Sequence, residues 1–107
     1  MFTRIVSMQL KPNTHREFTK KFEKEIMRTL QKQQGFKDEM LCISPGGPEV
    51  VAISLWDSKE NAENYNRASY PEVLKTLTNL VEGTPKVRPY DVECSTFHKI
   101  VARVVAA

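Results

Sequence analysis

Apolar residues run from Val50 through Val51, Ala52, Ile53, Leu55 to Trp56 with only Ser54 between them, and then give way at once to Asp57-Ser58-Lys59-Glu60. In a strand, alternate side chains point to opposite faces, so residues 51, 53 and 55 form one surface and residues 50, 52, 54 and 56 the other. Both surfaces are apolar. A sheet built on this strand needs cover on both sides, and a short chain supplies helices for only one. The other face predicts a partner.

The remaining pattern fills in around that strand. Phe2, Val6, Met8 and Leu10 alternate with Thr3, Ile5, Ser7 and Gln9, a first strand ended by Pro12 and Asn13. Thr14 followed by Glu17 reads as a capping box. Phe18, Phe22, Ile26 and Leu30, with Met27 beside them, then form the stripe of a helix of about five turns, closed by Gly35 as its C′ residue. Phe36 to Ser44 is a second strand. The Pro and Gly residues at 45–48 turn it back into the third, Glu49 to Trp56. Ser58 is the N-cap of a second helix.

That helix is expected in two pieces. Ser69-Tyr70-Pro71-Glu72 is a second capping box, with Tyr70 displaced from helical geometry by the proline after it. Val73, Leu77 and Leu80, flanked by Leu74 and Val81, carry the stripe to Gly83. A fourth strand follows from Val87 to Phe97, and Pro89 within it argues for an edge position or a bulge. The tail from His98 to Ala107 alternates as a fifth strand would, and reads nearly as well as a helix.

The order strand, helix, strand, strand, helix, strand is the ferredoxin-like arrangement of the α+β class, an antiparallel sheet with both helices on one face. Residues 1–97 form one domain, as 107 residues allow. Residues 98–107 form an extension expected to pack at a dimer interface.

Composition narrows the function. At 40% hydrophobic and 27% charged residues the chain is an ordinary globular domain. No apolar stretch approaches the roughly 20 residues of a membrane span, and the N-terminus lacks a signal-peptide pattern, so the expected location is cytoplasmic. The net charge of +3 owes much to Arg16, Lys20, Lys21, Lys24, Arg28 and Lys32, of which Lys20, Lys24, Arg28 and Lys32 make a stripe along the first helix that a solvated face explains. Nucleic-acid binding by the same element order uses aromatics on the first and third strands, and these strands lack them at their centres. Cys42 and Cys94 are expected as buried free thiols. His15 and His98 stand apart, and no Cys-x-x-Cys or His-Glu-x-x-His occurs, so neither a metal nor a cofactor is expected. Gly46-Gly47 links two strands and is not a phosphate loop.

The strand ending in Trp56-Asp57-Ser58-Lys59-Glu60, then Ala62 and Tyr65, a helix running to Leu77 and Leu80, Pro85 and a strand from Val87 together resemble the antibiotic biosynthesis monooxygenase family of dimeric α/β barrels. The resemblance spans Phe2 to about Phe97. It implies a homodimer whose sheets pack face to face with helices outside, supplying the missing cover. It also implies oxygenation of a small aromatic or quinone-like substrate without a cofactor, the substrate anion itself reducing dioxygen in a dry pocket. The histidines of the haem-degrading and quinol-oxidising branches have no counterpart here, Tyr65 and Lys75 standing where the haem-degrading branch has Trp and His. A non-catalytic dimeric binding domain is the alternative.

On this reading Tyr65, Tyr70 and Asn61 are the candidate catalytic residues, with Trp56 and Ser69 binding substrate. Tyr65 or Tyr70 would hydrogen-bond a substrate oxygen, Asn61 would orient it and Trp56 would supply an apolar wall. The helix break at 69–71 leaves room for a cavity between sheet and helices, touching Tyr65 and near Trp56.

Overall fold

The structure is a computed structural model, and it describes residues 1–97. The apolar tail and His98, expected at a dimer interface, lie outside the described residues.

Four strands, β1 (Phe2–Leu10), β2 (Phe36–Ile43), β3 (Glu49–Trp56) and β4 (Val81–Asp91), form one antiparallel sheet in the order β2-β3-β1-β4. This is the ferredoxin-like α+β arrangement, and within the single chain the sheet is open, with β2 and β4 at its edges. Pro89 sits on the edge strand, where its missing N–H costs no ladder bond on the solvent side. Phe2, Val6, Met8 and Leu10 of β1 join Val50, Ala52 and Trp56 of β3 in a core with the helices. The opposite face carries Ile5, Val51, Ile53 and Leu55, all half-buried, with Met40 and Tyr90 exposed beside them.

The first helical segment comprises α1 (His15–Lys21), a π-helical stretch (Phe22–Ile26) and α2 (Met27–Gln31). Its irregularity follows from the spacing of the apolar stripe. Phe18, Phe22, Ile26 and Leu30 recur every four residues, and in an α-helix of 3.6 residues per turn each would drift about 40° around the axis from the last. Over three steps Leu30 would leave the sheet. The wider π turn, marked by the bond from the Met27 N–H to the Phe22 carbonyl, takes up that drift, and all four side chains are buried.

Several sequence expectations are corrected. Neither capping box forms. Thr14 has φ −108° and ψ −1°, and its hydroxyl donates to the Lys11 carbonyl at 2.7 Å instead of capping. Ser69, at φ −121° and ψ −31°, also makes no side-chain cap. Capping needs extended backbone, which Ser58 has (φ −149°, ψ 156°), and its hydroxyl accepts from the Asn61 N–H as expected. The second helix does break, into α3 (Lys59–Ala68) and α4 (Tyr70–Leu77), but the break falls on Ser69 and Tyr70 opens α4. Pro71 is accommodated in the first turn, where its absent N–H would have no partner anyway. Gly35 has the positive φ expected of it, 81°, but lies beyond the end of α2 in the turn entering β2.

The fourth strand begins six residues earlier than expected and ends at Asp91. Leu10 pairs with Val81, and a bulge in β4 leaves residues 83–85 opposite the single residue between Ser7 and Gln9 of β1, with Gly83 at φ 66°. Cys42 and Cys94 are free but exposed, not buried. Cys42 faces the open side of an edge strand, opposite Val51, and Cys94 lies past the end of β4. Among the described residues no helix is long and apolar enough to cross a membrane.

Candidate functional site

The helix-facing row of β1 is apolar except at its second place, where Arg4 is only 5% exposed. Strand register sets it in a polar row across the sheet: Arg4 pairs with Ser54, and Ser54 pairs with Glu39. Glu39 reaches this face through a bulge in β2. Phe36 pairs with Trp56 and Asp38 with Leu55, so one extra residue switches the alternation of β2 and turns Glu39, Leu41 and Ile43 toward the helices.

The helices close over this row with aromatic rings. The Arg4 guanidinium carbon lies 4.5 Å from the centre of the Tyr70 ring and 5.1 Å from that of Tyr65, within cation–π range of both. Arg4 Nη2 also donates to Asn66 Oδ1 at 2.8 Å. The Tyr65 and Tyr70 rings are 6.1 Å apart, and Trp56 lies 5.1 Å behind Tyr65. Trp56 Nε1 donates to the Ser54 hydroxyl at 2.9 Å, so the row has its own hydrogen-bonded support.

Arg4, Glu39, Ser54, Tyr65 and Tyr70 line one cleft between sheet and helices, walled otherwise by apolar side chains including Phe22, Ile26 and Leu74. Counted to its mouth the cleft is about 390 Å³, but only about 30 Å³ of it could seat a water molecule. Glu39, Tyr70 and Leu74 are its half-buried residues and mark the mouth. Two polar atoms here are buried without a partner at good hydrogen-bond geometry, Glu39 Oε1 and the Tyr70 hydroxyl, the latter with the Arg4 guanidinium beside it. Burial pushes the Glu39 carboxyl up to about 8, against the pull of Arg4. Burial likewise raises the Tyr65 and Tyr70 hydroxyls, with Arg4 opposing, and lowers Arg4 itself. At neutral pH the cleft therefore holds a cation, two neutral hydroxyl donors and a carboxyl poised near its titration point. Arg4 also borders a wider, shallower groove between α3 and β4, about 940 Å³ counted the same way to its mouth, with Lys59, Asn66 and Val87.

Of the residues singled out from sequence, Tyr65 and Tyr70 meet at the cleft. Trp56 is fully buried behind Tyr65 and does not line it. Asn61 sits at another corner, its side-chain amide donating to Asp57 Oδ1 at 2.9 Å and its Cβ against the Gly35 backbone, where a larger residue than glycine would collide. Ser69 is the joint between α3 and α4 and does not face the cleft. Sequence reasoning passed over Arg4, Glu39 and Ser54. The signal for Arg4 was present, a charge at an interior place of an apolar alternation. Among the described residues no three His, Cys, Asp or Glu side chains come together to hold a metal ion.

No protein-family model matches the chain, and no curated protein matches it in sequence. Solved structures do. A monooxygenase of Streptomyces coelicolor in complex with the ligand nanaomycin D superposes with a TM-score of 0.73 at 17% identity, covering 99% of this chain and 92% of its own. A candidate antibiotic biosynthesis monooxygenase of Bordetella bronchiseptica gives 0.72 at 16% identity, covering 85% and 95%. A conserved protein of Methanosarcina mazei gives 0.69 at 19%, covering 84% and 91%. At such identities the likeness is one of fold. The chain has the fold of the antibiotic biosynthesis monooxygenases.

Proposed function

We propose that the protein binds a small hydroxyaromatic or quinone-like molecule at the cleft and oxygenates it without a cofactor. The observation that carries this is the buried Arg4 guanidinium, held against the Tyr65 and Tyr70 rings in a cleft walled mainly by apolar side chains. Such a cation stabilises an oxyanion far better in a dry site than in water. A phenolate or enolate held there is a better reductant than the neutral compound. For an activated ring methylene the reaction balances with dioxygen alone: the CH₂ becomes C=O and the second oxygen atom leaves as water. Structures of the same fold named as monooxygenases support the reading.

The enclosed space accepts a hydroxyl group, not a ring. The ring system would lie at the mouth, with α4 tilting outward about Ser69 to admit it. We further propose a homodimer in which a second copy covers the open face of Ile5, Val51, Ile53 and Leu55, and a cytoplasmic setting in which Cys42 and Cys94 stay reduced.

The test is oxygen uptake with anthrone or a naphthoquinol as substrate, in wild type and Arg4→Met. Uptake that depends on Arg4 supports the reading. Tight binding without uptake would favour a non-catalytic binding domain, which the small enclosed volume also suits.

A further inference from the structure

We propose that Glu39 is the proton acceptor of the cleft, taking the hydroxyl proton of a bound phenol or hydroquinol as its oxyanion forms against Arg4. The inference rests on the hydroxyaromatic-binding function proposed above and assigns the proton that such binding must release.

The geometry behind it is a pair of unmet demands at one place. Glu39 Oε1 is buried without a hydrogen-bond partner, and the Tyr70 hydroxyl, buried on the same cleft, has only the Arg4 guanidinium beside it and no partner at good hydrogen-bond geometry. Buried polar atoms in folded proteins are nearly always satisfied, so two orphans on one small cavity point to a guest that satisfies them. A carboxylate oxygen wants a proton donor and a tyrosine hydroxyl can donate to an oxygen. A single ligand hydroxyl answers both, donating to Glu39 while its oxygen accepts from Tyr70. Along the same row Ser54 comes next and then the Arg4 guanidinium.

The step is a proton transfer and nothing else. The ligand O–H bond breaks, a new O–H bond forms on Glu39 Oε1, and the electron pair stays on the ligand oxygen as an aryloxide facing Arg4. Other groups around Glu39 do not compete for the proton. Tyr65 from α3 and Tyr70 from α4 are held neutral by burial, Arg4 is a cation, Ser54 is engaged with Trp56, and the first helix turns only apolar side chains to the cleft. Burial has moved the carboxyl to about 8, close to where a general base works best at physiological pH.

2-Naphthol tests this without oxygen chemistry, because its absorption shifts to longer wavelength on ionisation. At about pH 8.5 free naphthol is neutral while Glu39 is mostly ionised. Anaerobic titration of the full-length protein should show bound naphtholate. Calorimetry in buffers of different ionisation heat should count close to zero protons released to solvent. In Glu39→Gln the bound naphtholate should come with about one proton released per site, because no internal acceptor is left. One proton released by the wild type, or naphthol bound there in its neutral form, overturns the assignment while leaving the binding function standing. Absence of binding to the wild type overturns both. The wild-type count decides the matter even if the variant does not fold.

Discussion

Replacing Glu39 by Gln should remove most of a pH dependence of stability that the wild type carries, and the size of the effect follows from the site. Burial pushes the carboxyl up to about 8 in the folded protein, and it returns to its ordinary value of 4.5 once unfolding exposes it. Below that lower value it is protonated in both states and contributes no slope. Between the two values the unfolded chain is ionised while the native one still holds its proton. Stability then falls as pH rises, by about 1.4 kcal/mol per pH unit. Above about 8 both states are ionised and the loss levels off. The full interval amounts to at most about 5 kcal/mol, and because Glu39 sits at the mouth of the cleft, where water can approach, about 2–5 kcal/mol is expected. That is a large share of the roughly 5–15 kcal/mol that holds a domain together. Gln keeps the shape and cannot ionise. Urea denaturation at pH 5, 7 and 9 should therefore give a midpoint that drops steadily for the wild type and much less for Glu39→Gln, with the variant the more stable at pH 9. Parallel curves for the two proteins would refute the burial of this carboxyl.

Arg4→Met should leave stability within about 1.5 kcal/mol of wild type, because a hydrophobic side chain of similar length removes the desolvation cost along with the interactions. The same variant should weaken naphthol binding by about ten- to a hundredfold, the worth of one charged hydrogen bond, as read by titration calorimetry. Tyr70→Phe should cost about 0.5–1.5 kcal/mol of phenol binding with the melting temperature nearly unchanged. Sedimentation at micromolar concentration should give about twice the chain mass, since Ile5, Val51, Ile53 and Leu55 share the open face of the sheet and a contiguous apolar surface of this kind marks an interaction site; a clean monomer would sink the face-to-face dimer. Deleting the residues after Phe97 should weaken association more than it disturbs the monomer fold.

Legibility in the sequence tracked regularity. The hairpin and β3 could be read because Val50 to Trp56 is apolar at nearly every place and the Pro-Gly turn before it has one solution. The start of β4 could not. Leu77, Leu80 and Val81 continue the three- and four-residue spacing of α4 across its end, so a strand residue was counted as helix. Tyr65 and Tyr70 were visible as hydroxyls beside a helix break. Glu39 was hidden by the β2 bulge. Strict alternation from Phe36 would put Phe36 and Glu39 on opposite faces, and only the extra residue in the register brings them to the same one. Arg4 is a single charge among Phe2, Val6, Met8 and Leu10, and the alternation of its strand reads the same with or without it. A buried charge in a short domain is the more informative member of such a row.

The cleft is bordered by the irregularities of the fold. The β2 bulge delivers Glu39, the break at Ser69 delivers Tyr70, and the π segment supplies Phe22 and Ile26 as the opposite wall. The first two interrupt an otherwise continuous strand or helix, the third follows from the four-residue spacing of its stripe, and the elements around them assemble a closed apolar core. An interior organised for stability alone would fill this place with aliphatic side chains, which can match or exceed a buried ionic cluster in stability. Instead it holds an arginine whose charge is met by two ring faces and one amide oxygen, and it leaves a carboxyl oxygen and a phenol hydroxyl unmatched. Sites where consistent local rules are broken together are where function is expected to reside. Here the three breaks converge on one space, and the groups they bring to it are those needed to hold an oxyanion and to receive its proton.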